Sequence, residues 1–350
     1  MTPHERTLLA LNQGTPDRVP LFLFGLDPIF TKRLFKGDHY AALDSLGLDT
    51  FPIKITYWCQ GLPTGAVMTR EIPPAQMTGG GVFGGWNGPD EFGRVWERGS
   101  YIGGDLKTAA DLDRYTPELR LEERTPPGLV ARIRERYPDK ALAPVVHLGP
   151  LGTTMERMGH EHFCLSLYRD RDLVREAVER MADFLVAYFK YAESLGADYL
   201  VLCDDVAHAK GSFISPRDFE DLAVPVYGRI LEAVDIPVVW HCDGFVEPLL
   251  PAIARVGFSG VHPLEPSAGN DLARIKARFK GRLTLIGNVD CLEVLAGDDL
   301  EAVRREVDRA MGQAKAGGGY MLATSNSAHF GTNFEAVKEM YRYGRTIGEY

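Results

Sequence analysis

Residues 236–245 read IPVVWHCDGF. Ile236, Pro237, Val238 and Val239, followed by Trp240, have the apolar, β-branched character of a buried strand. The run then delivers His241, Cys242 and Asp243, three residues able to hold a metal or move a proton, before Gly244 ends it. A strand that stays apolar to its last turn and closes in polar groups is what a parallel barrel presents at its catalytic end, so the rest of the chain is read for more of the same.

Seven further runs share this form: VPLFLF at 19–24, DTFPIKI at 49–55, ALAPVVH at 141–147, ADYLVLC at 197–203, FSGVHPL at 258–264, RLTLIGN at 282–288 and GYMLAT at 319–324. Helix-length amphipathic stretches separate most of them, the signature of βαβ units. Eight runs predict a (β/α)8 TIM barrel with an N-terminal helix, its strands in sequence order round the ring. Ser215-Pro216-Arg217-Asp218 signals a helix start with proline at the first helical position. Asp298 and Asp299 open a helix whose Val303, Val307, Ala310 and Met311 share a face, and Gly317-Gly318-Gly319 ends it. From Tyr57 to Leu106 the chain is rich in glycine and aromatics without helical period. It predicts a long loop and hairpin insertion after the second strand. There is no internal repeat or shift of composition, so residues 1–350 read as a single barrel domain.

The chain carries 48 acidic and 39 basic residues, a formal charge of −9, with no basic run to follow a phosphate backbone. Nucleic acid is excluded as a partner on that ground. No apolar segment is long enough to span a bilayer, and the charged start MTPHER lacks a leader's apolar centre, which predicts a cytoplasmic protein without membrane contact. The five cysteines are scattered and form no CxxC pair. They are expected to be mostly buried thiols.

Alternation sorts the strand ends. Val239, His241 and Asp243 share one side; Val238, Trp240 and Cys242 share the other, apolar and thiol, suited to the helix layer. His241 and Asp243 are therefore expected in the barrel mouth and Cys242 outside it. The same rule turns Cys203 and Asp205 inward and Asp204 outward. Asp27, His147, His262, Asn288, Asn326 and His329 close or follow other runs. Taken singly each reads as a structural group; converging on one end of a barrel they read as a site.

The chain resembles the uroporphyrinogen decarboxylase superfamily, which also contains cobamide-dependent methyltransferases. The matching pieces are RTLLALNQGTPDRVPLFLFG (6–25), DEFGRVW (90–96), LCDDVAHAKGSFISPRDFEDLAVP (202–225), WHCDG (240–244) and GGYMLATSNSAH (318–329). The resemblance implies a (β/α)8 barrel. Decarboxylases of the family carry an arginine-rich segment after the first strand to grip the acid groups of a tetrapyrrole; here that place reads FGLDPIFTKRLFKGD, with only Lys32 and Arg33. In the methyltransferases zinc is held by a histidine and a cysteine two apart and by a second cysteine near the C-terminus. Laid on this chain, these fall on His241, Asp243 and Asn326, with His329 three residues later.

The expected function is therefore metal-dependent methyl transfer from a small methylated donor, such as a methoxy-aromatic, to a corrinoid carried by a partner protein. The metal, zinc, is expected on His241, Asp243, Asp205 and His329. Oxygen and nitrogen ligands in place of thiolates would make it more Lewis acidic. Asp205, His329, Asn326 and His147 are the candidate catalytic residues, and Asp27, Tyr57, His262 and Asn288 the candidate substrate contacts. The alternative is decarboxylation of uroporphyrinogen or another carboxylated substrate without metal.

Overall fold

The computed structural model describes residues 1–55, 58–59, 62–63, 87–97 and 100–350, the side chains of 58–59 and 62–63 excepted. Tyr57 lies outside the described residues.

Seven of the eight runs form one parallel sheet: β1 (Thr50–Lys54), β2 (Ala141–Val146), β3 (Leu200–Cys203), β4 (Val238–His241), β5 (Gly260–His262), β6 (Thr284–Val289) and β7 (Tyr320–Thr324). They neighbour one another in sequence order, each ladder parallel. The first run, 19–24, differs from expectation in being no regular strand. It lies between β7 and β1, with Phe22 N–H donating to the Leu322 carbonyl, Leu322 N–H to the Pro20 carbonyl and Asp49 N–H to the Leu21 carbonyl. Pro20 has no N–H to give, and the Leu21 N–H is taken by the Asp49 carboxylate at 2.8 Å. The run thus closes the ring through isolated bridges, Leu21 to Leu322 and Leu26 to Ala328, with side-chain bonds replacing part of the ladder.

Two cores follow from the alternation. An inner one holds Phe22, Phe24, Ala143, Val145, Tyr199, Val201, Cys203, Val239, Ile286 and Met321. The outer one, between strands and helices, holds Phe51, Ile53, Leu202, Val238, Trp240, Cys242 and Leu285 among many others. The N-terminal helix Pro3–Leu11 plugs the bottom of the barrel: Ala10 and Leu11 join the inner core, and the Ala10 carbonyl accepts from the Thr284 hydroxyl at 2.7 Å. The helix signals land where the sequence places them. Ser215 caps Pro216–Leu222, and Asp299 caps Leu300–Ala314, which buries Val303, Val307, Ala310 and Met311. Gly317, Gly318 and Gly319 all take positive φ, and a Cβ on Gly318 would strike the Gly14 carbonyl, so the triplet ends a helix and returns the chain under the barrel.

The described parts of the 57–106 region are short antiparallel pieces. Trp58–Cys59 pairs with Leu62–Pro63, and Gly88–Pro89, Arg94–Glu97 and Ser100–Gly104 form a three-stranded sheet. Among the described residues no helix is long and apolar enough to cross a membrane.

Candidate metal centre

At the C-terminal ends of β3 and β4 the inward positions carry Asp205, His241 and Asp243, and each offers an atom within 4.8 Å of the other two. These are the residues the alternation turns inward. His241 Nε2 stands 3.4 Å from Asp243 Oδ1 and 3.9 Å from Asp205 Oδ1. Asp243 Oδ2 accepts from the Asn326 amide at 2.9 Å, and Asp205 Oδ1 accepts from the Asp243 backbone N–H at 2.9 Å. Asp243 Oδ1 is buried with no hydrogen-bond partner among the described residues.

The charges on these groups follow from their setting. Asp205 shows 50% of its side chain to solvent, yet burial is the first cause that raises its pKa. The two observations agree if the surface it shows belongs to a recess walled by protein. Burial also raises Asp243 well above the carboxylate range, with Asp205 and Glu265 adding to it and Asn326 opposing. Glu265 is raised by burial while its Oε2 accepts from Gly244 N–H at 2.8 Å. His241, 2% exposed, is held down to about 3 by burial. Three carboxylates crowd this half of the mouth with no lysine or arginine paired to them among the described residues, an arrangement that a cation relieves.

Whether the trio fits a metal can be judged from its spacing. Two ligands about 2.1 Å from a tetrahedral zinc lie about 3.4 Å from each other. The His241 and Asp243 atoms already stand 3.4 Å apart, at a separation too long for a well-formed hydrogen bond. The unpartnered Asp243 Oδ1 and the imidazole nitrogen converge on one point, so the residues present fit the group.

Behind His241 the ring of Phe24 lies flat against the imidazole, centroids 4.0 Å apart and planes 7° apart. Phe24 also stacks on His262 at 5.0 Å and meets His147 edge-on at 5.1 Å. His147 opens onto the same recess, and burial followed by the nearby His241, Lys54 and Arg94 lowers it to about 3. Lys54 closes β1 on the inward side and makes no hydrogen bond or ion pair among the described residues; burial lowers its pKa, opposed by Asp27. The mouth is thus polarised, with Asp205, Asp243 and Glu265 gathered after β3, β4 and β5 and Lys54 at the end of β1.

The remaining candidates are placed differently. His262 is fully buried beneath His241, its Nδ1 2.6 Å from His241 Nδ1, so it supports the centre and does not line the mouth. Asn288 is also fully buried: its amide donates to the Leu264 carbonyl and accepts from Arg309, which commits it to structure and not to substrate. Gly287, at φ +147 with Pro263 against it, breaks the alternation there. Asp27 caps the helix Pro28–Phe35 by accepting from Ile29 N–H. His329 is not in the metal-capable group; its Nδ1 accepts from Gly331 N–H at 3.0 Å. Cys242 faces outward, its sulfur accepting from Val206 N–H at 3.4 Å. Asp204 likewise points away from the mouth, accepting from Leu151 and Gly152 N–H and from the Tyr227 hydroxyl, and burial raises it to about 7. Sequence reasoning missed Lys54 and Phe24. The only signal was parity with their inward neighbours.

The chain is 27% identical over 203 residues to the methylcobamide:CoM methyltransferase MtbA of Methanosarcina mazei, 56% of this chain and 57% of that protein. It is 24% identical over 163 residues to the methylcobamide:CoM methyltransferase MtaA of Methanosarcina barkeri, 47% of each. The chain spans about half the length of the curated relatives it matches. Among solved structures, a methyltransferase from Methanosarcina mazei superposes over 99% of both chains with a TM-score of 0.70 at 20% identity, a likeness of fold. Residues 93–347 match the family described as uroporphyrinogen decarboxylase (URO-D), and with most of the barrel inside that match, this chain belongs to the URO-D family.

Proposed function

We propose that this chain holds a divalent metal, zinc, on Asp205, His241 and Asp243, and moves a methyl group from a small methylated donor to a corrinoid carried by a partner protein. The observation that carries the reading is Asp243 Oδ1, buried with no hydrogen-bond partner among the described residues and facing His241 Nε2 across 3.4 Å. The matched relatives are methylcobamide methyltransferases, which supports a corrinoid on one side of the reaction.

Breaking the bond between a methyl carbon and its oxygen or nitrogen leaves charge on the heteroatom, and a bound metal would stabilise that charge as a Lewis acid. The protein's own residues supply the rest. Asn326 fixes one carboxylate oxygen of Asp243, so that the other points to the reaction centre. Phe24 holds the His241 ring in one plane. His147 stays neutral and open to the recess, able to donate or accept at the departing heteroatom. Within the family the competing chemistry is decarboxylation of a polycarboxylate. The wall of Asp205, Asp243 and Glu265 would repel such a substrate, which favours methyl transfer.

Elemental analysis of the purified protein, before and after chelation, tests the reading. One zinc per chain is expected, lost in His241→Ala and kept in Cys242→Ser, together with zinc-dependent methylation of added cob(I)alamin. Absence of any bound metal, or a Cys242→Ser protein that alone loses zinc, would refute it.

A further inference from the structure

We propose that Lys54 and Ser327 form an anion subsite beside the metal centre, which binds a single carboxylate on the methyl donor and so makes the substrate a small methylated acid. The inference deepens the methyl-transfer reading and rests on it for the role of donor; the subsite itself is a property of the metal-free protein.

Thr50, Pro52 and Lys54 share one face of β1, and the Thr50 hydroxyl bonds that of Tyr199 in the inner core, so the strand delivers Lys54 to the inside of the barrel. The four residues before it in β1 are buried and Lys54 alone is exposed. Exposure at an inward position is exposure to the recess. Its backbone is level with Val145, two residues short of His147, which sets it within the mouth and below the rim. Among the described residues its ammonium makes no hydrogen bond or ion pair. Asp27 is the carboxylate that acts on it, yet the two form no ion pair, and Asp27 Oδ1 is taken by Ile29 N–H at 2.8 Å. An ammonium left unpaired between protein walls is stabilised by an anion brought to it.

Gly25 supplies the second half of the subsite. Its carbonyl accepts from Ala328 N–H at 2.8 Å, so the end of the first run lies against the loop that follows β7. A Cβ on Gly25 would stand 2.6 Å from Ser327 Oγ and 4.0 Å from Lys54 Nζ. The missing side chain lets a hydroxyl and an ammonium stand over the same stretch of backbone. Ser327 Oγ, on a half-buried residue, also makes no hydrogen bond among the described residues. Two unpartnered donors that flank one glycine suit the two oxygens of a carboxylate. The subsite adjoins the metal centre through two covalent links. Gly25 follows Phe24, whose ring lies flat on His241, and Ser327 follows Asn326, whose amide holds Asp243 Oδ2. Charge then orients the donor: Asp205, Asp243 and Glu265 repel its acid end, Lys54 holds that end, and the methylated atom is left toward the metal.

The test measures equilibrium binding to the full metal-free chain, by titration calorimetry, of the three methoxybenzoate isomers and methoxyacetate, each against its uncharged amide. At least one acid is expected to bind about 10-fold tighter than its amide, with an advantage that shrinks as salt is added. Lys54→Met should weaken that acid about 10- to 100-fold and erase the advantage, Lys54→Arg should keep most of it, and Ser327→Ala should cost about 2- to 10-fold. A parent protein that prefers no acid over its amide would overturn the proposal. So would a preference untouched in Lys54→Met, or one seen only after zinc is added, since the acid would then be held elsewhere or by the metal. If Lys54→Met does not fold, the parent preference and its reduction in Ser327→Ala decide, and an unchanged Ser327→Ala protein overturns the subsite. The expected acid binding in a protein that holds no zinc would leave this inference standing and remove the metal-dependent function. Zinc-dependent methylation of cob(I)alamin from neutral donors alone would keep that function and remove this inference.

Discussion

Asp204 and Asp205 are consecutive, both acidic and both at the end of β3, and the structure predicts opposite consequences for removing them. Asp204 is 1% exposed and accepts three buried donors: the backbone N–H of Leu151 at 3.2 Å, that of Gly152, and the Tyr227 hydroxyl at 2.6 Å. The backbone at 149–152 comes so close that a Cβ on Gly149 would overlap the Asp204 side chain. Asp204→Ala leaves those donors without an acceptor at about 1–3 kcal/mol each. Allowing the tyrosine hydroxyl to turn elsewhere, the loss from the two backbone donors is about 2–6 kcal/mol. For a chain of 350 residues the melting entropy is about 0.74 kcal/mol/K, which converts this into a fall in Tm of about 3–8 °C. Asp205→Ala removes a half-exposed side chain with one backbone bond and relieves repulsion from Asp243, so its Tm should stay within about 2 °C of the parent while zinc binding is lost. Scanning calorimetry of the metal-free proteins and zinc titration give the two readouts. An Asp204→Ala protein that melts with the parent, or an Asp205→Ala protein that melts lower than Asp204→Ala, would refute the division of roles.

Acid stability offers a second check. Hydrogen bonds from Arg342 and Arg304 hold Glu339 down to about 2, so its stabilising charge is present above the unfolded value of 4.5 and is lost as pH falls toward 2. Because Arg342 is largely exposed, solvent screening cuts this to on the order of 1–2 kcal/mol. Glu339→Gln should lower the urea midpoint above pH 5 and flatten its decline between pH 4.5 and 2; a parallel decline would count against the pairing. Phe24→Ala removes the plane against which His241 and His262 stack. It should cost about 3 kcal/mol of stability and weaken zinc binding, and unchanged metal affinity would show that the stack does not position the ligand. Lys54→Met deletes a cation that presses on His147, so the His147 pKa measured by NMR should rise from about 3; no movement would place Lys54 too far away to act there.

The sequence made much of this legible because alternation is a strict rule wherever a strand separates two packed layers. Val239, His241 and Asp243 against Val238, Trp240 and Cys242 sort in space as they sort in period, and so do Cys203 and Asp205 against Asp204. The rule fails where the backbone leaves the ladder. Pro20 withholds an N–H, Asp49 supplies a side-chain acceptor in its place, and the first run closes the ring without being a strand. At Gly287 the chain bends against Pro263, and Asn288 is committed to Leu264 and Arg309, bonds that no local pattern announces.

His262 sets a different limit, because its place at a strand end was legible but its depth was not. It pairs in register with His241 on the adjacent strand, and two residues level on neighbouring strands compete for the same mouth. His241 is followed by Cys242 and by Asp243, whose carboxylate comes back to its Nε2, whereas His262 is followed by the apolar Pro263 and Leu264. One histidine therefore reaches the recess while its neighbour is sealed below, 2.6 Å away and bonded to it. The candidate site thus has two layers, with the coordinating atoms of His241 and Asp243 above and a second imidazole bonded to His241 through Nδ1 beneath, and removal of the lower ring would take away the bond that orients the upper one.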